Sequence, residues 1–240
     1  MALDHALMER ARRTGERVLR AYSWSQPTLS LGRHQVARDR INTRAAQELG
    51  VVLVRRPTGG RALLHHHEVT YSITTALAPD DSVRAWYGVI NEILLRGLGL
   101  LDVPATVAPP AGKMLSPSTA ACFVQPDEGE IMVDGRKLVG SALVRERDAL
   151  LQHGSILLGD DQPLLESLLP EDEAPPAAAG TLRRGTGSIP SFEDVAESLF
   201  AALRTRREVE ASVLEIDPEL SEESGRWERV YRSEEWTFRK

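Results

Sequence analysis

Among the 240 residues, the side chains best suited to chemistry are a single cysteine, a lysine set between apolar neighbours, and a cluster of arginine, threonine, glycine and histidine. Cys122 has no second cysteine with which to form an internal disulfide, so it is a free thiol and fits a reducing compartment. It follows a proline-rich loop rather than sitting within a helix, and Lys137 lies one hairpin further on. An ammonium close to a thiol stabilises the thiolate and lowers its pKa from the reference of about 8.5. Together the two residues offer an activated nucleophile. Lys137 itself falls in a strand pattern beside Leu138 and Val139. From there an ammonium either snorkels off a sheet edge or points into a polar site.

The segment RRPTGGRALLHHHEVTYS opens at Arg55. Its paired glycines, Gly59 and Gly60, let the chain turn tightly, approach a ligand and expose N–H groups to a carbonyl or phosphate oxygen. A plain turn needs the same glycines; Arg56, Thr58 and Arg61 add the charge and hydrogen bonding of a binding site. In the second segment, GRKLVGSALVRERDALLQHGSILL from Gly135 to Leu158, Gly140 and Gly154 interrupt strand patterns, where glycine marks a bulge or a close approach. The run His65-His66-His67 raises the question of a metal. Adjacent strand residues face opposite sides, so at most His65 and His67 share one, and no H-x-x-x-H, cysteine pair or carboxylate completes a set. No metal is expected; His65 should hydrogen-bond in the pocket and the other two should be exposed.

These residues need elements to hold them. Leu3 to Arg13 has the apolar spacing of a short helix. Val18–Tyr22 and Thr28–Leu31 read as strands separated by the turn-like Ser25-Gln26-Pro27. Ile41 to Leu49 is helical and stopped by Gly50. The continuous apolar run Val51 to Val54 predicts a strand buried on both faces, leading into the arginine-glycine motif. Val69 to Thr75 is a further strand. Asp81 or Ser82 caps a helix striped by Val83, Trp86, Val89, Ile90, Ile93 and Leu94 and ended by Gly97 and Gly99. Pro104 to Thr119 is a long loop, of the kind used as a lid or binding loop. Ile131–Val133 pairs with Leu138–Ala142 through Asp134-Gly135, a two-residue hairpin turn, and Leu150–Leu158 adds another strand. Pro170–Gly180 is a flexible connection; Ser191 with Asp194 makes a capping box for a helix through Arg204, and Pro218–Tyr231 is a terminal helix. Short strands with segregated helices predict an α+β fold rather than regular βαβ alternation.

A hydrophobic content of 42% over this length supports one sizeable core, and residues 1–240 are read as a single catalytic domain. There is no apolar run long enough to cross a membrane and no signal-peptide pattern, so a cytoplasmic protein is expected. A net charge of −6 argues against non-specific nucleic-acid binding. The arginines at 55, 56, 61, 136, 145 and 147, with Lys137, suggest a local basic rim for an acidic partner or anionic ligand group.

Taken together, the three segments resemble the lipoate/octanoate branch of the biotin and lipoate protein ligase superfamily. MALDHAL, WSQPTLSLG from Trp24 to Gly32, and EEWTFRK match further landmarks, so the resemblance spans nearly the whole chain. It implies that superfamily's catalytic-domain fold, a mixed β-sheet with flanking helices. Within the branch, octanoyltransferases of the Gram-positive type carry a cysteine in the loop before the lysine hairpin, where Cys122 stands. The resemblance therefore implies transfer of an octanoyl group from octanoyl-acyl carrier protein to a lysine of a lipoyl-carrier domain, such as glycine cleavage H protein, with Cys122 and Lys137 as catalytic residues. Arg56, Thr58, Gly59, Gly60, Arg61, His65, Gly140, Ser141, His153 and Gly154 would bind substrate, and Leu64 and Val139 would line an acyl tunnel. No cofactor is expected; ATP and Mg enter only under the alternative, an ATP-dependent lipoate ligase. A second alternative is a non-catalytic acyl or carrier-protein binder. A monomer is expected. The chain departs from the group's pattern in VQPDEGEI after the cysteine, in His66 where aspartate is common, in Leu143 where glutamine is usual, and in starting at Met1 where relatives have an upstream strand.

Overall fold

The computed structural model describes residues 1–38, 40–109, 129–170, 177–182, 187–205 and 210–239. Cys122, most of the long loop and the centre of the 170–180 connection lie outside the described residues.

Six strands make an entirely antiparallel sheet in the order β1 (Val18–Tyr22), β5 (Glu68–Ala76), β9 (Ala149–Leu157), β8 (Arg136–Glu146), β7 (Ile131–Val133) and β6 (Thr106–Val107). A second sheet of three strands has β2 (Thr28–Leu31) at its centre, parallel to β3 (Val52–Arg55) and antiparallel to β4 (Leu63–His65). The α+β class and the mixed-sheet architecture are as the sequence predicts. Asp134 and Gly135 both take positive φ, 50° and 71°, so the β7–β8 turn twists with its strands as a two-residue hairpin should.

Helices α1 (Ala2–Thr14), α2 (Thr43–Glu48), α3 (Val83–Leu100), α4 (Leu165–Leu168), α5 (Phe192–Arg204), α6 (Pro218–Tyr231) and α7 (Glu234–Thr237), with a 3-10 turn at Gln162–Leu164, complete the described elements. The largest core packs Ile90, Leu94 and Leu98 of α3 and Leu199 of α5 against Val69, Tyr71, Val139 and Ile156 of the six-stranded sheet. A separate cluster, with Leu29, Leu31 and Leu64, lies between the small sheet and α4 residues Leu165 and Leu168. Among the described residues no helix is long and apolar enough to cross a membrane.

Three expectations are corrected. The run 51–54 is not buried on both faces: β3 is an edge strand and Val52 is 36% exposed, while Val51 sits in the core just before it. A parallel pairing accounts for the apolar run, and the outer edge accounts for the exposure. The glycines at 97 and 99 do not end α3, which runs on to Leu100. A Cβ at Gly97 would sit 2.8 Å from the Leu199 side chain and 3.3 Å from its Cα, so this glycine lets α5 approach rather than stopping the helix. The loop beginning at Pro104 also contributes a short strand, β6, paired with β7. Of the two cap candidates, Ser82 accepts from the Ala85 N–H, whereas Asp81 accepts from Ala78 N–H and the Trp86 indole.

Candidate functional site

The two motif segments meet because β5 and β8 both pair with β9, and because the chain turns out of β3 at Arg55-Arg56 to re-enter the small sheet at β4. Between them lies a cavity of about 210 Å³. Of the residues expected to act, Arg56, Gly60, Arg61, His65, Lys137, Gly140, Ser141, His153 and Gly154 all line it. Thr58 and Gly59 stand behind the walls. Thr58 Oγ1 is 2.7 Å from His153 Nε2, and the Gly59 carbonyl accepts from the Arg56 guanidinium.

Arg55, Arg56 and Arg61 are at most 6% exposed and form no basic rim. Arg56 donates to the carbonyls of Ser30, Gly59 and Arg61, so it fastens the glycine turn to β2. Arg55 faces away and donates to the carbonyls of Gly32, Gln35 and Thr237. Burial, then the neighbouring charges of Arg239 and Arg56, bring its pKa down to about 10, which leaves it cationic. Gly60 has φ 94°, and a Cβ on Gly32 would lie 1.9 Å from the Gly60 carbonyl oxygen. Two backbone segments therefore touch where only glycine fits.

On the sheet side, Gly154 occupies a place that no side chain could share: a Cβ there would be 2.5 Å from the Gly140 carbonyl oxygen and 2.7 Å from the Tyr71 ring. The two strand-interrupting glycines thus mark a close approach between β8 and β9, in unbroken register. Tyr71 hydroxyl and Ser141 Oγ are 2.7 Å apart, and Gln152 donates to the same hydroxyl. His153 is buried, and burial, opposed by the attraction of Asp4 and reinforced by Arg56, lowers its pKa to about 3. It is a neutral imidazole near pH 7.

His65 hydrogen-bonds as expected, to Ser30 Oγ at 2.7 Å and to Glu68 at 2.8 Å, with the Trp24 ring stacked on it at 4.4 Å. His66 and His67 do not alternate as strand residues would, because they form the turn between β4 and β5. Both approach Asp161, with Nδ1 atoms 3.6 and 3.0 Å from one of its oxygens, and the three residues offer ligand atoms within 4.8 Å of one another. A carboxylate partner therefore exists, 94 positions further along the chain from His67, where the motif gave no sign of it.

Lys137 is 4% exposed, so it neither snorkels nor sits at an edge; it is ion-paired with Glu130, which is 6% exposed and lines the same cavity. Sequence reasoning passed over Glu130. Counting back from the Asp134-Gly135 turn brings that acid to the lysine's neighbourhood, and this was the available signal. Leu64 and Val139, expected in an acyl tunnel, are instead packed in two separate cores; Leu63 lines the cavity in their place. Strand alternation explains the exchange: Leu63 and Leu64 point to opposite faces of β4.

Residues 1–204 match the model of the lipoyl protein ligase A/B catalytic domain. The chain is 38% identical to octanoyltransferase LipM of Kyrpidia tusciae and 37% identical to that of Lysinibacillus sphaericus. Each alignment covers 100% of this chain and 94% of the relative. Among solved structures, lipoate-protein ligase A bound with ATP superposes with a TM-score of 0.81 at 20% identity, covering 99% of this chain and 92% of that one. The bi-partite lipoate protein ligase of Thermoplasma acidophilum gives 0.79 at 18% identity, covering 99% and 89%. With the motif residues assembled around one cavity and the match running through both sheets, the chain belongs to the lipoyl protein ligase A/B catalytic domain family.

Proposed function

We propose that this chain is an octanoyltransferase of protein lipoylation, taking an octanoyl group from octanoyl-acyl carrier protein and delivering it to a lysine of a lipoyl-carrier domain. The observation that supports it most directly is the Lys137 ammonium, buried in the wall of the cavity beside Glu130 and the backbone of Gly60, Gly140 and Gly154, 15 positions after the chain's one thiol. The relatives sharing 37–38% of its sequence over its full length are octanoyltransferases, which favours transfer over ATP-dependent ligation.

A thioester is already activated, so the reaction needs a nucleophile, stabilisation for the carbonyl oxygen and positioning, without ATP or metal. Cys122, ionised beside Lys137, attacks the octanoyl thioester and becomes an octanoyl-enzyme as the donor's carbon–sulfur bond breaks and the carrier protein's thiol leaves. Lys137 and backbone N–H groups near Gly59, Gly60 and Gly140 hold the acyl oxygen. The acceptor's ε-amine then displaces the sulfur and forms an amide. The setting is the cytoplasm, with a monomeric enzyme.

Incubation with octanoyl-acyl carrier protein, without ATP or acceptor, is expected to add one octanoyl mass at Cys122, and Cys122→Ala is expected to lower transfer by on the order of 100-fold or more. Normal transfer by Cys122→Ala, or product formed only with ATP and free acid, overturns the thioester route.

A further inference from the structure

The cavity presents a difficulty to its second substrate. Arg56, Arg61 and Lys137 all line it, and the acceptor lysine arrives from water as a second ammonium. Like charges brought together away from water repel strongly. Among the described lining residues, Glu130 is the one carboxylate.

Its position is built with care. Tyr87 and Asn91 of α3 both donate to the Gly129 carbonyl, at 3.4 and 2.7 Å, and the Glu130 carbonyl accepts from Ala108 N–H at 2.7 Å. Gly129 has φ 84°, and a Cβ on it would press on the Tyr87 ring at 3.1 Å. A register shift in the hairpin between Ile131 and Met132 pairs Met132 with Lys137 and Ile131 with Val139, and Glu130 is the residue just before that shifted pair. Helix, glycine and bulge thus hold one carboxylate against the lysine inside the pocket.

We propose that Glu130 is the receiving group for the acceptor's ammonium, shared between Lys137 and the incoming lysine, and so a substrate-binding residue of the amide-forming step. The assignment rests on the octanoyltransferase reading for the nature of the acceptor. Glu130 makes no bond to carbon; it offsets the added positive charge and orients the side chain from which a proton is lost to solvent before attack.

The test compares a charged with an uncharged nucleophile. Octanoyl-pantetheine is the donor, and the acceptors are a lipoyl domain and hydroxylamine, which is neutral near pH 7; octanoylated domain and octanoyl hydroxamate are quantified by mass. Glu130→Gln is expected to lower the lipoyl-domain rate relative to the hydroxamate rate about 10- to 100-fold, mainly through KM for the domain, the range for losing one charged hydrogen bond. Glu130→Asp, which keeps the charge, is expected to hold the ratio of the two rates near that of the unaltered enzyme. Equal loss with both acceptors, no loss with either, or a collapsed ratio in Glu130→Asp overturns the assignment. Because product is read directly, the comparison stands whether or not an acyl group is caught on Cys122. If the thioester is not a donor, octanoate with ATP replaces it, so failure of the transferase reading is told apart from failure of this one.

Discussion

At Gly154 a single hydrogen stands where a methyl group would meet two immovable neighbours, the Gly140 carbonyl and the Tyr71 ring. Neither is the far end of a flexible chain, so Gly154→Ala is expected to destabilise the protein by about 1–3 kcal/mol and to lower transfer by distorting the wall next to Ser141. Gly225 is the contrasting case: it lies within α6 with no heavy atom near its missing Cβ, and Gly225→Ala is expected to stabilise by roughly 0.5–1 kcal/mol. Urea unfolding of both variants checks the pair, and the reverse order of stabilities contradicts the packing described. The glycines at 60, 140 and 154, together with Arg56, Arg61, His65 and Lys137, were legible as site residues because their types are conspicuous in strand and turn patterns. Glu130 was not. A glutamate before a strand is ordinary, and only the pairing counted back from the Asp134-Gly135 turn brings it towards Lys137.

Elements were most legible where a side chain fixes an end. Ser191 accepts from Asp194 N–H while the Asp194 carboxylate accepts from Ser191 N–H, the reciprocal cap expected for α5. Ser191→Ala is expected to cost about 0.5–2 kcal/mol, read as a lower Tm, with catalytic rates at permissive temperature unchanged. A fall in activity without a fall in Tm runs against that purely structural role. The helix matters to the site only at a distance: Leu199 of α5 packs on Gly97 of α3, and α3 supplies the two donors that hold Gly129. Periodicity gave the core-facing stripe of α3 correctly, yet could not tell a glycine that ends a helix from one that admits a neighbour. The same blindness to tertiary partners made β3 look like an interior strand, since an apolar run does not say on which side its sheet stops.

Across the molecule, the two chain ends are joined through α1 and α6. His5 stacks on Trp227 at 3.4 Å and hydrogen-bonds to Tyr231 at 2.9 Å, while Arg10 pairs with Asp217. Burial lowers the His5 pKa to about 4 despite the attraction of Glu146, and burial lowers His153 to about 3. Both imidazoles bind protons more readily in the unfolded chain. Stability is therefore full above the ordinary histidine value near 6.5 and is lost as pH falls from there towards 4 and 3, by ~2 kcal/mol for each residue at pH 4.5. A Tm that drops from pH 7 to pH 4.5, with a shallower drop in His153→Gln, is the expected result; a flat profile contradicts neutral burial of the two rings. The last helix has a different bearing. The Trp236 indole donates to the Arg55 carbonyl and the Arg55 guanidinium donates to the Thr237 carbonyl, across 181 and 182 positions of sequence. Ribosomes release a chain from its amino end, so the strand carrying Arg55 emerges long before the Trp236 and Thr237 groups that bond to it. Until residues 236 and 237 have left the exit tunnel the guanidinium lacks the Thr237 carbonyl, and β3 stands without its tie to α7.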